Sequence, residues 1–123
     1  MRDIKFRGKT ENSGEWVYGY LISDYVICQD IYYDDYLDIR LENPVEVDSE
    51  TVGQYTGIKD RDGKEIYEGD ILYVESVNMS AVVFWKDGGF NLKWEDGHED
   101  NIQDWVEELV IYAKVVGNIF ERE

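Results

Sequence analysis

The chain predicts a mainly β protein with one short helix near its C-terminus. Three observations carry that prediction. Apolar and polar residues alternate over short runs rich in Val, Ile, Tyr and Trp, and clusters of Gly, Asn and Asp separate those runs at hairpin spacing. A single segment, Ile102, Trp105, Val106 and Leu109, repeats at i, i+3, i+4 and i+7.

Taken in order, Ile4 to Gly8 is an opening strand, and Glu11-Asn12-Ser13-Gly14 is a turn of residues that tolerate left-handed backbone. Trp16 to Ser23 is a second strand. Its period of two puts Trp16, Tyr18 and Tyr20 on one face and Val17, Gly19 and Leu21 on the other. Tyr25 to Asp30 is a third strand, whereas Asp34 to Asn43 reads as irregular or as a weak strand before Pro44. Val45, Val47 and Thr51 to Tyr55 resume the β pattern.

Lys59-Asp60-Arg61-Asp62-Gly63-Lys64 then forms a tight turn between Ile58 and Ile66, with Gly63 at positive φ and the aspartates bonded to their own backbone. A calcium loop is excluded by spacing. Counted from Asp60, Lys64 and Glu65 occupy the positions where such a loop needs an acid and a glycine. Glu68-Gly69-Asp70 opens the apolar run Ile71-Leu72-Tyr73-Val74, an entry common at the first strand of small SH3-like barrels. Ile71 to Val77 and Ala81 to Lys86 pair around Ser76 to Ser80, and Asp87-Gly88-Gly89 turns the chain into Phe90 to Glu95. Asp96-Gly97 marks another turn, the helix follows with Asp100 or Asn101 as its N-cap, and Val110 to Ile119 closes as a strand.

Thr51 to Leu72, with Phe6-Arg7-Gly8-Lys9, Trp16-Val17-Tyr18-Gly19-Tyr20 and Val116-Gly117-Asn118-Ile119-Phe120-Glu121, resembles the YopX family of small phage and prophage proteins along nearly the whole chain. The resemblance implies a mostly β protein encoded by a phage or prophage, with an SH3-like barrel in its C-terminal part, and it implies no activity. A soft boundary at Lys59 to Tyr67 divides an N-terminal β lobe, residues 1–60, from an SH3-like barrel lobe, residues 61–123, with a single compact unit as the alternative.

A chain of 123 residues has the size of one ordinary domain and buries roughly two thirds of its unfolded surface without staples. The lone Cys28, in Tyr25-Val26-Ile27-Cys28, reads as a packed thiol with no Lys, Arg or His nearby in sequence to lower its pKa. No signal-peptide core follows Met1, and no run reaches a membrane span, so the expected location is the cytoplasm of a bacterial host cell.

Charge narrows the partners. Against 12 basic residues stand 28 acidic ones, a net charge of −16. From Asp24 to Glu50 nine acids face only Arg40, and from Glu95 to Glu108 seven acids face no Lys or Arg. Such a field repels phosphate backbones and disfavours direct nucleic-acid binding, and its first reading is a set of solvated faces that aid solubility.

Catalytic constellations are not found. His98 is the one histidine, so neither a zinc site nor a nucleophile-base pair can be assembled around it without carboxylate help. Gly53-Gln54-Tyr55-Thr56-Gly57 has neither dinucleotide nor P-loop spacing. Asp34, Asp35 and Asp38 offer at most a weak surface cation site. No cofactor, metal or enzymatic activity is expected.

The aromatics remain. Tyr32-Tyr33-Asp34-Asp35-Tyr36, with Asp38, mixes tyrosine and acid in a segment unlike a core strand, and makes Tyr32, Tyr33, Asp34, Asp35, Tyr36 and Asp38 the candidate partner-binding residues. Trp85 and Trp94 lie on the two sides of the Asp87-Gly88-Gly89 turn, where core or cross-strand packing is the first reading and a facing pair that lines a peptide groove the alternative. The expected function is a non-enzymatic protein-interaction module whose partner is a protein, with homo-oligomerisation left open. The alternatives are an acidic mimic that blocks a basic DNA- or RNA-binding host protein, and an enzyme of unknown class.

Overall fold

The computed structural model describes residues 5–33 and 39–121. Among these residues eleven strands run β1 Phe6–Lys9, β2 Trp16–Ser23, β3 Val26–Tyr33, β4 Ile39–Glu46, β5 Asp48–Lys59, β6 Glu65–Tyr67, β7 Asp70–Val74, β8 Met79–Lys86, β9 Gly89–Trp94, β10 Glu99–Asn101 and β11 Ala113–Asn118. A 3-10 turn, Ile102–Trp105, leads into the one helix, α1, Val106–Tyr112. The chain falls into two compact units, Met1–Gln54 and Tyr55–Glu123, so the division lies inside β5, ahead of the Lys59 to Tyr67 turn segment.

In the first unit the strand order is β4-β3-β2-β1-β5, every pairing antiparallel. β4 and β5 stand at opposite ends of that order, yet only Val47 separates them in the chain. The sheet therefore has to roll until its two ends meet at one corner. Val47 donates its N–H to the Tyr25 carbonyl at 2.8 Å and joins Val17 and Ile27 in a small core, with Phe6, Leu21, Val45 and Val52 packed against it. The period-two reading of β2 holds: Val17 and Gly19 are buried while Tyr18 and Tyr20 are exposed.

The segment before Pro44 resolves to the strand of its two sequence readings, and the strand runs on past the proline. Ile39 to Glu46 is one continuous strand, with Pro44 opposite Cys28 and Asn43 at φ 56. Pro44 is tolerated because β4 is the end strand of the sheet, where a missing N–H on the outer side breaks no ladder bond. Acids and a proline dilute the β pattern there, and the ladder with β3 overrides that weak propensity.

The second unit is a five-stranded antiparallel meander, β10-β9-β8-β7-β11, with the end of β5 and β6 beside it. Its core holds Ile58, Ile66, Leu72, Val83, Leu92, Ile102 and Leu109. The consecutive hairpins from Ile71 to Glu95 appear as expected from sequence, and β11 pairs with β7 to complete them. Among the described residues β10 and β11 are not paired with each other, which leaves the SH3-like arrangement open. The closing strand starts at Ala113 and not at Val110, because Val110 to Tyr112 complete α1. Asn101 is the N-cap of the 3-10 turn that leads into it, its side chain accepting the Gln103 N–H at 2.8 Å.

Two signature elements explain themselves in this unit. Asp60, 4% exposed, accepts the N–H groups of Asp62 and Lys64 on one carboxylate oxygen, both at 2.9 Å, and that of Val115 on the other at 3.0 Å. Gly63 adopts φ 79 in the same turn. The Arg61 N–H meanwhile donates to the Ala113 carbonyl at 3.0 Å, so the turn is stitched along the outer edge of β11. Gly69 has φ 92, and a Cβ there would lie 2.8 Å from the Phe120 ring. Asp70, fully buried, accepts the Tyr67 N–H at 2.7 Å. Both motifs are structural fasteners.

Candidate interaction surface

β3 pairs with β2 only from Val26 to Cys28, but with β4 all the way from Val26 to Tyr33. The outer half of the β3–β4 hairpin is thus a two-stranded arm. Tyr32 lies opposite Arg40 and Tyr33 opposite Ile39 in its ladder, which places these two candidate residues at the arm's far end. Asp34, Asp35, Tyr36 and Asp38 lie outside the described residues. Lower on the arm Asp30 stands directly opposite Glu42, with the Asn43 amide donating to the Asp30 carboxylate.

The outward face of β2 carries an aromatic stripe that sequence periodicity separates from the core side but does not mark as exposed. Tyr18 and Tyr20 occupy alternate outward positions, Ile22 is the extra residue where the β2–β3 register shifts, and Tyr25 follows in the turn. These four side chains are 40% to 52% exposed. Alternate positions on one face are about 7 Å apart, so neighbouring rings form one band. Beside Tyr18, on the same strand, the Trp16 ring lies under the Arg7 guanidinium at 4.5 Å and near the Lys9 ammonium at 5.8 Å.

At the corner where the first unit's sheet closes there is a cleft of about 660 Å3. The Thr10 to Ser13 turn forms one wall, and Tyr25, the Pro44 to Val47 segment and Ser49 form the other. Tyr25 is twelve residues beyond the first wall and the Pro44 to Ser49 part of the second more than thirty, which is why no local motif announced the cleft. The one signal available was the single-residue connection through Val47.

The remaining candidates are occupied structurally. His98 is exposed and lies 3.5 Å from the Asp100 carboxylate, whose other oxygen accepts the indole N–H groups of Trp94 at 2.8 Å and Trp105 at 3.2 Å. Among the described residues no three His, Cys, Asp or Glu side chains are grouped to hold a metal ion. Cys28 is buried. Trp85 and Trp94 do not face each other, because the hairpin register sets Trp85 opposite Phe90 and Trp94 opposite Ala81. Trp85 stays about half exposed with its ring edge-on to Phe90, while Trp94 turns inward to meet Trp105 at 4.7 Å. No helix among the described residues is long and apolar enough to cross a membrane.

A rolled antiparallel sheet followed by an open SH3-like meander, with the Asp60 and Gly69-Asp70 fasteners between strands, defines a class of small two-unit β proteins. The chain belongs to the YopX protein family, whose model matches residues 5–122. It is similar to the crystal structure of protein EF1440 from Enterococcus faecalis, with 22% identity and a TM-score of 0.65 over 97% of this chain and 94% of that one. At that identity the likeness speaks for the fold alone. No curated protein sequence matches the chain.

Proposed function

We propose that this YopX-family chain is a binding protein and not an enzyme, that it acts in the cytoplasm of a phage- or prophage-carrying bacterium, and that its partner is a protein. The observation that supports this is the stripe Tyr18, Tyr20, Ile22 and Tyr25, apolar area left in water on a chain otherwise rich in charge. Tyrosine joins a large rigid apolar surface to a polar tip and anchors many interfaces. Of the sheet edges, that of β11 is already bonded to the Asp60 turn and offers a poor template for strand addition.

The test is to capture and identify a partner from host lysate, then measure its affinity by calorimetry for the parent and for Tyr18→Ser/Tyr20→Ser. Loss of two anchor rings should weaken binding at least tenfold, a difference of about 1.4 kcal/mol. A partner bound equally well by the parent and by the double variant would overturn the stripe as the contact.

A second reading, the acidic mimic, draws on Asp30 and Glu42. They stand opposite one another in the β3–β4 ladder, within a run where nine acids face only Arg40, a field that attracts a basic partner. On this reading free duplex DNA does not bind, and neutralising Asp34, Asp35 and Asp38 to Asn, or raising the salt, releases the partner. A partner that survives both treatments excludes it.

A further inference from the structure

We infer that the cleft of the first unit receives the cationic head of an arginine or lysine side chain from a partner protein, an inference that rests on the protein-binding reading above. The cleft's volume of about 660 Å3 falls in the range of sites that enclose small ligands. Its charge is one-sided: Glu11 and Glu46 line it, and no Lys, Arg or His does. Anions are therefore repelled, and a wholly apolar ligand would leave both carboxylates to be desolvated without compensation. What the lining does suit is a long side chain with an apolar stem and a positive head. Pro44 and Val45 offer the stem an apolar bed beside Tyr25, and the two carboxylates offer charge-assisted acceptors.

The walls are set before any ligand arrives. Thr10 donates to the Glu15 carbonyl at 2.9 Å, Gly14 donates to the Thr10 carbonyl at 3.0 Å, and the Thr10 and Ser13 hydroxyls meet at 2.6 Å. On the other side the Val47 N–H holds the Tyr25 carbonyl at 2.8 Å. None of these bonds uses the carboxylate of Glu11 or Glu46, so both stay available to a ligand at little reorganisation cost. The surplus of acid over the whole chain draws a basic segment toward this mouth from a distance. A planar guanidinium can bond a carboxylate in a forked geometry that an ammonium cannot match, so arginine is expected to bind more tightly than lysine.

The experiment titrates a capped glycine-arginine-glycine peptide into the isotope-labelled full chain, followed by amide chemical shifts, with lysine and citrulline peptides of the same length beside it. Saturable shifts are expected at Thr10 to Ser13, Tyr25 and Val45 to Val47. Binding should weaken about tenfold in Glu11→Gln/Glu46→Gln and at least as much for the uncharged citrulline peptide. Glu11 and Glu46 are both exposed, so the double variant should fold normally, and Tyr25→Leu serves as a second variant that removes only the ring. No saturable shift with the arginine peptide at millimolar concentration, shifts centred elsewhere, equal binding of the citrulline peptide, or an unchanged double variant would each overturn the inference. None of these outcomes touches the partner affinity of Tyr18→Ser/Tyr20→Ser, so failure of the cleft and failure of the stripe are told apart.

Discussion

Removing the Asp60 carboxylate is the sharpest perturbation of this fold. Asp60→Ala deletes the acceptor of three backbone donors, the N–H groups of Asp62, Lys64 and Val115. The turn residues Asp62 to Lys64 are exposed, so their two N–H groups can turn to water, and each loses only the net worth of a hydrogen bond, about 1 kcal/mol. Val115 is different. Its N–H is buried in the contact with Asp60, and an unmet buried donor costs about 1 to 3 kcal/mol. The sum is about 3 to 5 kcal/mol, reduced somewhat because a nearly buried carboxylate no longer has to be desolvated. A destabilisation of about 3 kcal/mol lowers the melting temperature of a unit this size by about 12 to 24 °C. Asp60→Asn keeps one acceptor oxygen but turns an amide donor toward the other N–H groups, so it should recover less than half of the loss. Urea denaturation followed by tryptophan fluorescence reads the change, since Trp94 and Trp105 pack in the same unit. Amide exchange at Val115 should accelerate in parallel. A parent-like midpoint and slope for Asp60→Ala would show that the carboxylate does not hold the turn to β11.

Gly63→Val should cost about 1 kcal/mol or more, read by thermal melting, and the cost is conformational because nothing lies within 4 Å of a Cβ at that position. Asn101→Ala should destabilise by about 1 kcal/mol through loss of the cap on the Gln103 N–H, again seen in a urea midpoint. Asp100→Leu, which leaves two indole N–H groups without their shared acceptor, should cost about 1 to 3 kcal/mol and alter tryptophan emission. Lys86, fully exposed, has its pKa raised by the hydrogen bond and charge of Glu99, so the pair's small stabilisation is complete below the unfolded value near 10.5 and fades as pH climbs through the raised folded value. Melts of the parent and Lys86→Met should therefore differ by a constant, small amount from pH 7 to 10 and converge above that.

Much of the architecture was legible where local chemistry and tertiary packing agree. β2 spans Trp16 to Ser23 in both readings because alternation, aromatic content and flanking turns all point one way. The Gly63 turn, the Asn101 cap and the consecutive hairpins after Asp70 follow from residue types that admit few other conformations. β4 was legible only as a weak strand broken at Pro44, since its continuity comes from a ladder with β3 and from an edge position that excuses the proline, neither of which is a property of the segment itself. The same holds for the surface. Alternation told apart the two faces of β2, but which face goes inward was decided by Val47 and Ile27 packing on Val17 from distant parts of the chain. Trp85 and Trp94 pack across the strands and in the core, as one sequence reading had it, but the register pairs each with a different partner and so rules out the facing pair.

The Asp60 latch also bears on how the chain is made. Asp60 and Val115 are 55 residues apart, and β7 finds its second neighbour only in β11. During synthesis at about 5 to 20 residues per second, the turn emerges seconds before the strand that completes it. Throughout that interval the Asp60 carboxylate is hydrated and the edge of β7 is bare, an opening for intermolecular pairing. Folding of the second unit is thus gated by arrival of its last strand, and a nascent chain stalled after Tyr112 would hold most of the apolar core sequence with neither the strand nor the latch to close it.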